Sequence, residues 1–172
     1  HLEEIVSAPG VSNQAGTLVI AADLDRFKEV NDTYGHEAGD LVLETAAQRL
    51  AGRTRTGIDF AFRIGGDEFV VLLEFSEGEA AAQEFCSDLL FDLLQPIAYK
   101  GVELTVGASI GFAAAQPDEP LAETLHRADL ALYASKADGR SCVNAYTDTI
   151  GSAHDKKMGL VKDFKRSEER RV

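Results

Sequence analysis

Apolar and polar positions fall into blocks whose period changes along the chain. Thr17 to Ala22 (TLVIAA) is a short apolar run that stops at Asp23, the pattern of a buried strand. Lys28 to Tyr34 reads as a short helix or turn closed by Gly35. From Glu37 to Leu50 apolar residues recur at Leu43, Ala46 or Ala47, and Leu50, an amphipathic helix stopped by Gly52. The period then drops to two: Ile58, Phe60, Phe62 and Ile64 alternate with Asp59, Ala61 and Arg63, which predicts a strand with two different faces. Gly65-Gly66-Asp67-Glu68 makes a hairpin turn into a second, more apolar strand from Phe69 to Phe75. Ser76 and Glu79 have the spacing of a capping box ahead of a helix with Phe85, Leu89 and Leu93 on one stripe, ended by Pro96.

Two further strands are expected at Val102 to Val106 and Ser109 to Ala113. Asp118 and Pro120 suit the N-cap and first turn of a helix that turns Leu121, Leu125, Ala128 and Leu132 inward, and Cys142 to Tyr146 is a last short strand. The order β-α-α-β-β-α-β-β-α-β predicts an α+β fold, a central, mostly antiparallel sheet covered by helices.

Composition narrows the class. The chain has 172 residues, 45% hydrophobic and 27% charged, ordinary values for one globular domain with a sizeable core. It holds no apolar run of about 18 residues and opens with no signal peptide, so no membrane contact is expected within it. Cys86 and Cys142 lie far apart without CxxC spacing, which argues against a disulfide framework or structural zinc and for a reducing, cytoplasmic setting. The net charge of −12 argues against a nucleic-acid partner, since binding a duplex needs a basic, counterion-releasing surface. From residue 150 on, however, seven basic residues face four acidic ones. With Met158, Val161 and Phe164 at loose helical spacing, residues 150–172 read as a basic tail, either a frayed terminal helix or a linker helix to a further domain.

The carboxylates carry the chemistry. Asp23 ends an apolar strand, and Asp67 and Glu68 sit at the tip of a hairpin between central strands. If the first strand pairs beside that hairpin, three carboxylates converge on one sheet edge and raise one another's pKa values. A hard divalent cation relieves the conflict, and oxygen ligands suit Mg²⁺, which also borrows phosphate oxygens. Each acid alone also fits a plain turn or cap. The stretch after Asp23 leads into a short helix bearing Lys28, where a polyphosphate can meet backbone N–H groups and a cation, although it is no Walker A loop. Asn31 and Asp40 offer an amide and a carboxylate that together match the edge of guanine better than adenine. His36 by itself is an ordinary helix-start histidine.

These residues resemble one family, the GGDEF domains, or diguanylate cyclases. The naming motif stands intact as Gly65-Gly66-Asp67-Glu68-Phe69. The pattern D-x-D-x-F-K-x-x-N-D-x-x-G-H-x-x-G-D matches at Asp23, Asp25, Phe27, Lys28, Asn31, Asp32, Gly35, His36, Gly39 and Asp40. Ser109-Ile110-Gly111 and the run Ala128-Asp129-x-Ala131-Leu132-Tyr133-x-x-Lys136-x-x-Gly139-Arg140 match further along. The resemblance implies a nucleotidyl-cyclase, palm-like domain over residues 1–149. It implies a metal site for Mg²⁺ (or Mn²⁺) at Asp23, the carbonyl of Leu24, Asp67 and Glu68, with Asp67 as general base toward a ribose 3′-hydroxyl. Lys28 would contact phosphate in the transition state, Asn31 and Asp40 would read guanine with His36 nearby, and Lys136 and Arg140, at i and i+4, would meet the triphosphate. The implied reaction joins two GTP molecules into cyclic di-GMP with release of pyrophosphate, across a homodimer in which each domain holds one GTP.

Three features depart from the family pattern. The product-binding R-x-x-D element reads Thr56-Gly57-Ile58-Asp59, so Asp59 belongs to a degenerate site and product inhibition should be weak or absent. The family's opening D-x-L-T-G-L-x-N-R segment has no counterpart, which reads as a trimmed fragment starting inside a first helix at Leu2 to Val6. Ser141 stands where an Asn is common. The alternative to an active cyclase is a catalytically silent GTP-binding module controlling an adjacent cyclic di-GMP phosphodiesterase domain; the intact Asp67-Glu68 pair favours the enzyme.

Overall fold

The computed structural model describes residues 16–157. Its central sheet has the order β2-β3-β1-β6-β7, built from β1 (Thr17–Asp25), β2 (Phe60–Arg63), β3 (Glu68–Glu74), β6 (Gly107–Ala114) and β7 (Val143–Ala145). β1 pairs antiparallel with β3 and β6, and β2 antiparallel with β3; β7 alone runs parallel, to β6. Helices α1 (Phe27–Tyr34), α2 (His36–Ala51), α3 (Glu79–Leu93) and α4 (Leu121–Ala137) cover the sheet, and a further helix, α5, spans 148–157. The expected α+β class and mostly antiparallel sheet are both present.

β1 is apolar from Leu18 to Ala22 because it is central and covered on both faces. Leu18, Ile20, Ala22 and Leu24 join a core with Val42, Leu43 and Ala46 of α2 and with Cys86 and Leu89 of α3. Val19 and Ala21 point the other way, against Leu121, Leu125, Ala128 and Leu132 of α4. A Leu or Ile in such a position stabilises the fold by roughly 1.5–3 kcal/mol. The inward set on α4 is the predicted one, and on α2 the choice between Ala46 and Ala47 falls to Ala46, which is buried while Ala47 is exposed. α4 lies so close to β6 that a Cβ on Gly111 would fall 1.9 Å from the backbone N of Leu132. Ser135 tightens the same contact, donating from Oγ to the carbonyl of Ile110 at 2.7 Å.

Several local expectations are corrected. Ile58 does not begin the strand: it is 47% exposed, and β2 starts at Phe60 because Asp59, not Ile58, turns inward. Ser76 does not cap α3; the N-cap is Gly78 (φ 87°), two residues further on, and no side-chain cap bond is made. Asp118 does not cap α4 either, with Pro120 preceding the helix and no side-chain cap bond made. Glu119 serves that end instead, accepting from the backbone N of Gln116 at 3.0 Å and Thr124 Oγ1 at 2.8 Å, and pairing with Arg127. A strand absent from the sequence reading, β4 (Ile97–Tyr99), pairs with β5 (Val102–Leu104) in a separate hairpin turning at Lys100 and Gly101, both at positive φ.

α5 lies against the domain. Gly151 leaves room for Tyr146, whose hydroxyl would sit 2.6 Å from a Cβ there, and Lys157 Nζ donates to the Tyr133 hydroxyl at 2.6 Å. The predicted first-helix residues Leu2 to Val6 and the tail positions Met158, Val161 and Phe164 lie outside the described residues.

Candidate active site

Register brings the acids together. β1 and β3 pair Asp23 with Glu68, and beyond that pair the backbone N of Leu24 donates to the carbonyl of Asp67 at 3.1 Å. The hairpin tip therefore lies against the end of β1. Arg63 braces the tip from beneath, its Nε and Nη2 donating to the Gly66 carbonyl at 3.1 and 2.7 Å and Nε to the Gly65 carbonyl at 3.2 Å. This clamp had no signature in the sequence beyond a cation two residues ahead of the turn.

Odd-numbered residues of β1 face α4, so Asp23 and Asp25 follow Val19 and Ala21 toward that helix. The last turn of α4 answers with a cation: Lys136 Nζ is 2.7 Å from Asp23 Oδ2. Asp23 is nonetheless held above the ordinary carboxylate range. Burial is the main cause, the charges of Asp67 and Glu68 add to it, and the Lys136 hydrogen bond opposes it. Glu68 is exposed and folds back over the turn, its Oε2 lying 2.7 Å from where a Gly65 Cβ would stand. Among the described residues no three His, Cys, Asp or Glu side chains already converge on one point as a metal cage. Asp23 has the Lys136 ammonium as its ion-pair partner, and Glu68 reaches back over Gly65.

The other predicted residues gather on α1 and α2. Asn31 lies against Gly39: a Cβ there would fall 2.0 Å from Asn31 Oδ1 and 3.2 Å from Phe27 Cζ. Only glycine admits this approach, which carries the amide to within one residue of Asp40. Lys28, His36 and Asp40 are exposed, and Lys28 has no ion-pair partner among the described residues.

Arg140 does not stand on a helix turn above Lys136. α4 ends at Ala137, and Arg140 follows Gly139 in a left-handed conformation (φ 67°), its N–H bonding back to the Ser135 carbonyl at 3.1 Å. Its side chain reaches the end of β1 by this reversal, with Nε 3.9 Å from Asp25 Oδ1.

Asp59 lies apart from these groups and is fully engaged. Its carboxylate accepts from Arg55 N and Nε, both at 2.8 Å, from Arg55 Nη2 at 2.9 Å, and from the backbone N of Glu74 at 3.1 Å, leaving the side chain 2% exposed. Burial works to raise its pKa, but these donors outweigh it and hold the group below the ordinary range. Arg55, one position from the missing motif arginine, is thus committed to closing the loop onto β3.

Comparison with known proteins agrees with this fold. The family model described as "Diguanylate cyclase, GGDEF domain" matches residues 1–142. Diguanylate cyclase A of Treponema denticola is 38% identical over 154 residues, covering 89% of this chain and 41% of that protein. The bifunctional diguanylate cyclase/cyclic di-GMP phosphodiesterase MucR of Pseudomonas aeruginosa is 36% identical, covering 89% of this chain and 22% of that one. The chain therefore spans well under half the length of these curated relatives. Among solved structures, the GGDEF domain of TpbB (YfiN) from Pseudomonas aeruginosa superposes with a TM-score of 0.73 at 33% identity, covering 81% of each chain. That of DgcB from Caulobacter crescentus, in complex with c-di-GMP, gives 0.69 at 32% identity over 76% of this chain and 75% of its own. A sheet edge carrying an intact Gly-Gly-Asp-Glu-Phe turn, in a chain matched over most of its length, leaves one assignment: this protein belongs to the GGDEF-domain family of diguanylate cyclases.

Proposed function

We propose that this domain is a diguanylate cyclase, condensing two GTP into cyclic di-GMP and two pyrophosphates. The observation that carries the reading is the seam between Asp23 and Glu68, where the register sets Asp23, Asp67 and Glu68 at one end of two adjacent central strands beside Lys136. This donor set fits Mg²⁺ or Mn²⁺: the oxygens are hard ligands, and the charges of Asp67 and Glu68 add to the burial that raises the pKa of Asp23. Asp23, the Leu24 carbonyl, Asp67 and Glu68 would hold the ion, which when bound would polarise the phosphates and lower the pKa of a hydroxyl beside it.

The residues of the chain divide the remaining work. Asn31 and Asp40 orient guanine, the amide donating and the carboxylate accepting, with His36 at the same helix start. Lys136 and Arg140 meet the triphosphate. Asp67 takes the proton from the ribose 3′-hydroxyl as the new P–O bond forms, and Lys28 stabilises charge growing on phosphate oxygen as pyrophosphate leaves. Each domain holds one GTP, so ring closure needs a second copy related by a two-fold axis, each 3′-hydroxyl attacking the other nucleotide's α-phosphate.

The test is turnover of GTP with Mg²⁺ at several protein concentrations, with products separated chromatographically. Cyclic di-GMP and pyrophosphate, formed at a rate falling faster than linearly on dilution, support the reading. GTP that binds and returns unchanged at all concentrations overturns it in favour of a regulatory GTP-binding module.

A further inference from the structure

Asp25 is a buried acid for which the proposed chemistry has no use. Its side chain is 6% exposed, yet it stands at the active end of β1. Ser109 Oγ donates to Oδ1 at 2.8 Å, and Ser141 donates to Oδ2 from its backbone N at 3.0 Å and from Oγ at 3.4 Å. Arg140 Nε approaches Oδ1 at 3.9 Å. Gly107, its register partner on β6, keeps this junction open, since a Cβ there would fall 2.8 Å from Ser141 Oγ and 3.1 Å from Asp25 Oδ2.

The segment Asp25 grips is held in a costly shape. After Gly139 (φ 108°), Arg140 (φ 67°) and Ser141 (φ 49°) are both left-handed, a region that L-residues other than Gly, Asn and Asp seldom occupy. Two consecutive residues stay there only where surrounding bonds over-determine them. Here those bonds are the Arg140 N–H to Ser135 and the Ser141 contacts with Asp25.

We propose that Asp25 is a positioning residue: it clasps the strained Gly139–Ser141 loop against β1 and so presents Arg140 to the β- and γ-phosphates of a bound guanosine triphosphate. The inference rests on the GTP reading above. It predicts that Asp25 governs recognition of the outer phosphates and leaves recognition of the base alone.

The probes are 3′-deoxy-GTP and 3′-deoxy-GMP, which carry the same base but lack the attacking hydroxyl, with affinities measured by calorimetry or competition on the whole chain. Asp25→Asn should weaken 3′-deoxy-GTP at least tenfold while the monophosphate changes less than twofold. Because Asp25→Asn can also impair folding, Ser141→Val gives a second route: this exposed position keeps Asp25 intact, but a β-branched side chain opposes positive φ. It should lose the same triphosphate preference. Adding Ser141→Gly to Asp25→Asn should restore part of it, since glycine adopts the loop conformation without restraint. A wild-type triphosphate-to-monophosphate ratio in Ser141→Val, or equal loss of both ligands in Asp25→Asn with no recovery in the double variant, overturns the proposal. A wild-type protein that binds 3′-deoxy-GTP no better than 3′-deoxy-ATP overturns the GTP reading itself.

Discussion

Lys136 and Asp23 form the one ion pair linking the last turn of α4 to the end of β1 beside the Gly65–Glu68 turn among the described residues, with Nζ 2.7 Å from Oδ2. The carboxylate is 11% exposed and the ammonium 31%, so the pair sits in a partly desolvated corner where charge matters more than at an open surface.

Replacing Lys136 with Met should therefore destabilise the protein by about 1–3 kcal/mol at neutral pH, because Asp23 keeps its burial and its acidic neighbours but loses its counter-charge. The sign with pH follows from the raised pKa of Asp23. A carboxyl whose folded pKa exceeds its unfolded value costs nothing while protonated in both states and costs stability once pH rises through the folded value. The gap in Tm between wild type and Lys136→Met should thus be wide at pH 7 and narrow near pH 4. A gap independent of pH would show that Lys136 acts by packing.

Asp67→Asn should cut cyclic di-GMP formation by about 10²–10⁴-fold while leaving thermal stability within about 1 kcal/mol. The structural bond at this position is made by the Asp67 carbonyl, not its carboxylate, so the substitution leaves the seam with Leu24 in place. Comparable losses of turnover and Tm would assign the side chain to the fold.

Gly39→Ala ordinarily favours a helix interior by roughly 0.5–1 kcal/mol. Here the added methyl would meet Asn31 Oδ1 at 2.0 Å and must displace it. Preference for GTP over ATP in a binding assay should fall about tenfold, as it should for Asp40→Ala. Undiminished discrimination in both variants would remove Asn31 and Asp40 from base recognition.

Asp59→Ala should cost about 2–4 kcal/mol by chemical denaturation, since it leaves Arg55 and the N–H of Glu74 without their acceptor. Its lowered pKa adds stability above the ordinary carboxylate range, which is lost as pH falls through the folded value. With this carboxylate engaged and Thr56 in the arginine position, we expect cyclic di-GMP to bind weakly here and to inhibit weakly. Tight binding abolished by Asp59→Ala in a calorimetric titration would contradict that expectation.

Much of this molecule was legible in one dimension because its strongest signals are local. An apolar run halted by an acid, a Gly-Gly-Asp-Glu turn between an alternating strand and a more apolar one, and the inward stripe of α4 each depend on residues a few positions apart, where periodicity and turn chemistry act. What failed were local rules applied where a distant group had a stronger claim. The alternation places Ile58 in the strand, but Asp59 is drawn in by Arg55 and Glu74 and the strand starts at Phe60. Arg140 was placed on a helix that in fact ends at Ala137.

Sequence alone thus determined the family, the sheet-and-helix plan and the inventory of acids and cations, since each is written in side-chain type and short spacing. Only the tertiary structure decided that Lys136 meets Asp23, that Asn31 lies against Gly39, and that Asp25 holds a loop 116 residues away through Ser141. Those contacts arise when the register of β1 and the packing of α4 bring remote segments within bonding distance, and no periodicity along the chain encodes which of many available donors will arrive there.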